Sequence, residues 1–166
     1  MKSEVYFAGL QAKHGSGLYQ KIVNLFYSAG MDRLIQPGDL VAIKLHFGEP
    51  GNVAFTSPLF LKPLVEEIKK VGGKPFLTDS NTLYLGGRRN AVDHLQTAYG
   101  HGFVMEVTGA PVIIADGLKG QDFETYPIQG KYFDEVRIVS AIYHAPVMIV
   151  FTHFKGHPIF GFGGAF

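Results

Sequence analysis

Three short stretches carry residue types that could do chemistry together: Lys44-Leu45-His46, Asp79-Ser80-Asn81 and Thr152-His153-Phe154-Lys155. Each follows an apolar run, so each is expected where a buried strand ends. In open parallel sheets, ligands bind beyond the carboxyl ends of the strands. If these strands are neighbours, two lysines, two histidines and an aspartate converge on one rim. Lys44, Asp79 and Lys155 are the candidate catalytic residues. The lysines would supply positive charge, His46 and His153 would serve as ligands or proton carriers, and Asp79 would orient one of them. Alternation puts Lys44 on the same face as His46, close to a buried stretch. A lysine so placed must pair, reach water or shift its pKa. The plainer alternative is that it snorkels off the strand end.

His153 and His157 stand four apart, a spacing that serves metal binding on a helix. Gly156 and Pro158 argue against a helix there, so a loop would have to bring both imidazoles to one divalent metal. His46 or Asp79 would then supply a third ligand, making His46, His153 and His157 the candidate metal set. Gly86-Gly87-Arg88-Arg89-Asn90 places two guanidinium groups just before a helix, an arrangement suited to phosphate or carboxylate. Arg88, Arg89 and Asn81 are the candidate ligand-binding residues, and the alternative for the arginines is a solvated loop. Gly48-Glu49-Pro50-Gly51-Asn52 reads as an ordinary turn. Neither it nor Gly161-Phe162-Gly163-Gly164 matches the dinucleotide fingerprint or the P-loop. No Ser-His-Asp arrangement stands out and no two carboxylates meet at a strand end, so acyl transfer and glycoside hydrolysis gain no support.

The elements that must position these residues follow from the hydrophobic pattern. Glu4 to Leu10 reads as a strand and His14 to Gly17 as a loop. A helix follows with Leu18, Ile22, Leu25, Phe26 and Ala29 at helical spacing. Leu40 to Leu45 is a short apolar run broken only by Lys44, as in a strand covered on both faces. Ser57-Pro58 opens a helix with the stripe Leu61, Leu64, Val65 and Ile68, ended by Gly72-Gly73. Pro63 is awkward for that start, so the helix is expected to kink or to begin later. Pro75 to Thr78 enters a strand ending at Asp79, completing a right-handed crossover unit. Asn90 caps a helix through Val92, Leu95 and Tyr99, and Val112 to Ala115 is a strand. Tyr126 to Phe133 suggests a hairpin turning at Gln129-Gly130, Val136 to His144 is open between strand and helix, and Pro146 to Thr152 reads as a central strand. The sum is one α/β domain over residues 1–166, a mostly parallel sheet with flanking helices in three layers.

Charged residues make up 17%, below the roughly 25% usual for soluble domains, which fits an extra face buried against another subunit or segment. Net charge is +1 without blocks of like sign, so nucleic-acid and membrane-surface binding are not expected. The absence of cysteine rules out disulfides, thiolate metal sites and a cysteine nucleophile within the chain. There is no signal core and no run long enough to span a bilayer, so the expected location is cytoplasmic. The last fifteen residues hold one charged side chain, four phenylalanines and four glycines, unlike a frayed chain end. They lead us to expect an amino-terminal piece of a longer protein.

Four segments together resemble a known family: Lys44-Leu45-His46-Phe47-Gly48-Glu49, Asp79-Ser80-Asn81-Thr82-Leu83-Tyr84, Gly87-Arg88-Arg89 with Asp93-His94, and His153-Phe154-Lys155-Gly156-His157 with Gly161-Phe162-Gly163-Gly164-Ala165. They look like the uncharacterised iron–sulfur-centre proteins, domain of unknown function 362, over nearly the whole chain. Members usually continue into a cysteine-rich, ferredoxin-like segment. The resemblance therefore implies an iron–sulfur cluster for the parent protein, which this cysteine-free chain cannot ligate. A fainter similarity runs to the nickel-pincer lactate racemase family, where a histidine-bearing strand end also leads into a glycine-rich loop. The expected function is that of an amino-terminal, redox-linked α/β domain binding a small anionic molecule or a metal at its rim. The alternative is a non-catalytic interaction module docking a partner, a homo-oligomer or a carboxyl-terminal segment through its apolar carboxyl end.

Overall fold

The structure, a computed structural model, describes residues 3–11, 17–157 and 159–164. Four parallel strands, β1 (Leu40–Lys44), β2 (Lys74–Asp79), β3 (Val112–Ile114) and β6 (Val147–Val150), form the central sheet in the order β3-β2-β1-β6. Between β1 and β2 lies α2 (Leu61–Lys70), and between β2 and β3 lie α3 (Ala91–Gly100) and the short α4 (Met105–Thr108). This is the parallel α/β arrangement that the strand–helix–strand pattern predicts. Register pairs Ile43 with Leu77 and with Ile149, and Leu77 with Val112. One face of the sheet, including Val41, Ile43, Leu77 and Ile114, packs with Phe26, Leu61, Leu64, Val65, Ile68 and Ala98 of the helices in a single core.

Helix α1 (Leu18–Ser28) buries Phe26 and stops before Gly30, whose φ is 68°. Pro63 does not kink α2. A turn of 3-10 helix at Pro58–Phe60 leads in, so Pro63 falls within the first helical turn, where its missing N–H would have had no intrahelical partner anyway. Asn90 caps α3 as expected, its side-chain oxygen accepting the N–H groups of Val92 (3.0 Å) and Asp93 (3.1 Å).

Several expectations are corrected. Glu4 to Leu10 forms no strand, because no sheet edge pairs with it. The run at Pro146 to Thr152 is an edge strand rather than a central one. After β3 the chain returns to the far side of β1, leaving Met148 and Val150 50% and 40% exposed. The hairpin exists but is longer than read, pairing β4 (Phe123–Pro127) with β5 (Glu135–Val139) and leaving Gln129-Gly130 in the connecting loop. Val136 to His144 resolves into both alternatives, the end of β5 followed by α5 (Ser140–Tyr143). The loop expected at His14 to Ser16 lies outside the described residues, as does Pro158. The last described element is a small hairpin of β7 (Lys155–His157) and β8 (Gly161–Gly163).

Candidate functional site

The strand order reverses between β1 and β6, since the chain builds outward from β1 through β2 to β3 and then crosses back. Such a reversal splays the connections apart and opens a crevice beyond the carboxyl ends of the two strands. The ladder runs slightly past the strands, with Leu45 N–H donating to Thr78 O (3.1 Å) and Phe151 N–H to Lys44 O (2.8 Å). His46 and Thr152 therefore follow the ends of the two paired strands, and His153 and Lys155 come next on the β6 side.

Beside it lies an ion-pair network. Asp79, at the end of β2, takes Lys44 Nζ on one oxygen (3.3 Å) and Arg88 Nη1 on the other (3.0 Å). Arg88 also donates through Nε to Glu49 (2.9 Å), and through Nη2 to Glu49 and to the Tyr84 hydroxyl (2.6 Å). Tyr84 in turn donates to Glu49. Asp79 and Arg88 are each 4% exposed. Charges that deep persist only when paired and hydrogen-bonded on every side. Burial raises the Asp79 carboxyl above its ordinary value, with Lys44 and Arg88 pulling the other way. Burial would raise Glu49 too, but hydrogen bonds from Arg88 and Tyr84 outweigh it and hold that carboxyl low. The two cations and two anions cancel, so the network acts as a rigid, neutral floor.

His46 stands over this floor. Burial, followed by the charges of Arg88 and Lys155, lowers its pKa to about 4. Its Nδ1 accepts the Gly48 N–H at 2.9 Å, so at neutral pH the imidazole carries its proton on Nε2 and presents it as a donor. Gly48 has a φ of 90°, and a Cβ there would lie 2.7 Å from His101 Nδ1 and 2.9 Å from Phe55. His101 stacks on Phe55 (4.3 Å between ring centres) and donates from Nδ1 to Phe47 O (2.7 Å), clamping the His46–Gly48 turn to the end of α3.

On the β6 side, His153 Nδ1 meets the Thr56 hydroxyl at 3.4 Å. Lys155 is exposed and, among the described residues, joins no ion pair. His157 turns into its own hairpin, where Nδ1 accepts the N–H groups of Ile159 and Phe160 (3.2 Å each). The backbone at His157 is extended, so the four-residue spacing from His153 does not bring the rings onto one helical face.

The structure thus brings Lys44, His46, Asp79, Arg88 and Lys155 together and sets His153 beside Thr56. Asn81 serves a different purpose. Its backbone N–H and side-chain Nδ2 both donate to the Asp116 carboxylate (3.0 and 2.9 Å), and Nδ2 also reaches Gly117 O (2.9 Å), tying the end of β2 to the end of β3. Arg88 is not a solvated arginine, whereas Arg89 is exposed. Among the described residues no three histidine, aspartate or glutamate side chains are grouped to hold a metal ion. With Nδ1 of His46 and of His157 already accepting, Nε2 of each is a donor in the neutral form, which does not suit a metal ligand. An iron–sulfur cluster does not fit either, since the chain has no cysteine.

Thr56 escapes a reading of the sequence, and Glu49, Tyr84 and His94 appear there without the contacts that the structure gives them. Glu49 lies in a turn of unremarkable composition, and only the burial of Arg88 gives it a purpose. His94, on α3, is fully buried against the edge of Phe47, and neither ring nitrogen has a hydrogen-bond partner.

Fold and site together define an open parallel α/β domain with polar strand ends at its strand-order reversal. Residues 41–166 match the family described as Domain of unknown function (DUF362), and the chain belongs to that family. Neither a curated protein nor a solved structure matches the chain. Among the described residues no helix is long and apolar enough to cross a membrane.

Proposed function

We propose that this domain binds a small anionic molecule in the crevice between the ends of β1 and β6. The observation that carries the reading is the placement of Lys155, the donor Nε2–H of His46, and His153 around the one strand-order reversal of the sheet. Lys155 supplies the net positive charge, because Lys44 and Arg88 are neutralised by Asp79 and Glu49. His46, neutral and oriented by Gly48, supplies a directional hydrogen bond. Lys44 and Asp79 act as positioning residues that fix the rim. Any redox role rests on the iron–sulfur resemblance, and a cluster would need thiolates from outside these 166 residues.

The test is calorimetric titration with inorganic phosphate and, separately, with oxalate, on the intact chain and its Lys155→Ala and His46→Ala variants. A charge-assisted hydrogen bond contributes about 1.5–3 kcal/mol, so each variant should bind roughly 10- to 100-fold more weakly while its circular dichroism is unchanged. Undiminished binding in both would sink the reading. The interaction-module alternative is favoured by a different observation, the exposure of Phe154, Ile159, Phe160 and Phe162 on the carboxyl-terminal hairpin. It predicts that replacing Phe160 and Phe162 by serine abolishes association with a partner and leaves anion binding intact.

A further inference from the structure

The amino-terminal segment and the edge of the sheet are each unfinished, and in complementary ways. Residues 4–10, Glu-Val-Tyr-Phe-Ala-Gly-Leu, have the β-branched and aromatic content of a strand yet pair with nothing. Val5 and Phe7 are 89% and 90% exposed. Lys21, on α1, holds the carbonyl oxygens of Gly9 and Gln11, and Ala8, Gly9 and Leu10 lie along α1, so the segment is tethered at its base while Glu4 to Phe7 are exposed.

Strand β6 supplies the counterpart. It is an edge strand, Val-Met-Ile-Val, without the charge or proline that normally blocks edge pairing, and among the described residues no further strand covers it. Beside it lies an apolar cavity of about 170 Å³ lined by Ile22, Leu25, Ile149, Val150 and Phe151, next to a second of about 160 Å³ that the chain's own Ala8, Gly9 and Leu10 help to wall. An open edge beside apolar pockets suits an added strand, with main-chain hydrogen bonds for affinity and pockets for alternate side chains.

The exposed area says how much cover is wanted. The chain exposes 11075 Å² at 18.2 kDa. A folded monomer of that mass exposes roughly 8,100 Å². The surplus of roughly 3,000 Å² comfortably exceeds the ~800 Å² per partner that a standard interface removes.

We infer that the segment Glu4–Phe7 of one copy adds as a fifth strand to the β6 edge of a second copy, reciprocally, to form a two-fold dimer. Val5 and Phe7, on one side of the added strand by alternation, enter the partner's groove along α1. The exchange is isologous and closes on itself, so it ends at two chains.

Sedimentation equilibrium on the whole chain should give about twice 18.2 kDa. The double variant Val5→Asp, Phe7→Asp changes only exposed positions and should sediment as a folded monomer. The absence of cysteine then allows a direct test of the partner. An oxidised mixture of single variants, Phe7→Cys or Val5→Cys with Met148→Cys or Val150→Cys, should yield a covalent dimer of unlike chains in at least one pairing. A monomeric wild type would overturn the inference. So would a dimer indifferent to the arm substitutions, or oxidised mixtures that yield no covalent dimer of unlike chains in any pairing.

Discussion

Replacing His94 by phenylalanine should flatten the acid side of the stability profile. His94 is fully buried, unpartnered at both nitrogens and held neutral, its pKa lowered by burial and then by Arg88 to about 4 against 6.5 in an unfolded chain. Between those values the unfolded state takes up a proton that the native state refuses. Stability therefore falls as the pH drops from about 6.5 towards 4, and is unaffected by this group above that window. Each unit of difference corresponds to 1.36 kcal/mol, so His94 accounts for roughly 3 kcal/mol of acid destabilisation. His46 acts in the same direction. It is only partly buried, so its share is smaller. Phenylalanine keeps the ring's packing against Phe47 while removing two nitrogens that burial deprives of water. Urea denaturation at pH 7.0, 5.5 and 4.5 checks this. The wild type should lose about 2–2.5 kcal/mol more than His94→Phe across that range, and the variant should be no less stable at neutral pH. Parallel profiles for the two proteins, or an imidazole that titrates near 6.5 by NMR, would refute the reasoning.

Three other outcomes follow from named contacts. Asp79→Ala leaves Arg88 and the Lys44 ammonium without their shared carboxylate, and should cost about 3–5 kcal/mol in denaturant unfolding. Gly48→Ala combines a positive φ with contacts of 2.7 and 2.9 Å to His101 and Phe55. It should lower the melting temperature markedly and shift the His46 resonances, whereas alanine at Gly51, where nothing lies within 4 Å of an added Cβ, should do so less. Asn90→Ala removes the cap of α3 and should cost about 1 kcal/mol.

The parallel core was legible because its signals are local. Leu40 to Lys44, the Leu61–Ile68 stripe and the strand ending at Asp79 each follow a period, and Asn90 caps as its type predicts. Strand order was not, since nothing in the composition of Val147-Met148-Ile149-Val150 separates an edge strand from a central one. Glu4 to Leu10 misled for the same reason: strand propensity describes a fit to a neighbouring strand, and the segment has none. At the site, the convergence of Lys44, His46, Asp79 and Lys155 followed from strand ends alone. The partner of Arg88 did not, because Glu49 lies thirty-nine residues away in a turn and only the packed chain brings the two together. Asn81 looked like a ligand group because it follows Asp79, but Asp116 uses its donors.

Histidine-selective NMR during titration with inorganic phosphate tests the central claim most directly, since each imidazole reports on its own surroundings. The account predicts saturable shifts at His46 Nε2–H and at His153, with His94, His101 and His144 unmoved. Shifts absent at His46 and His153, or spread evenly over all the histidines, would contradict a binding crevice between β1 and β6.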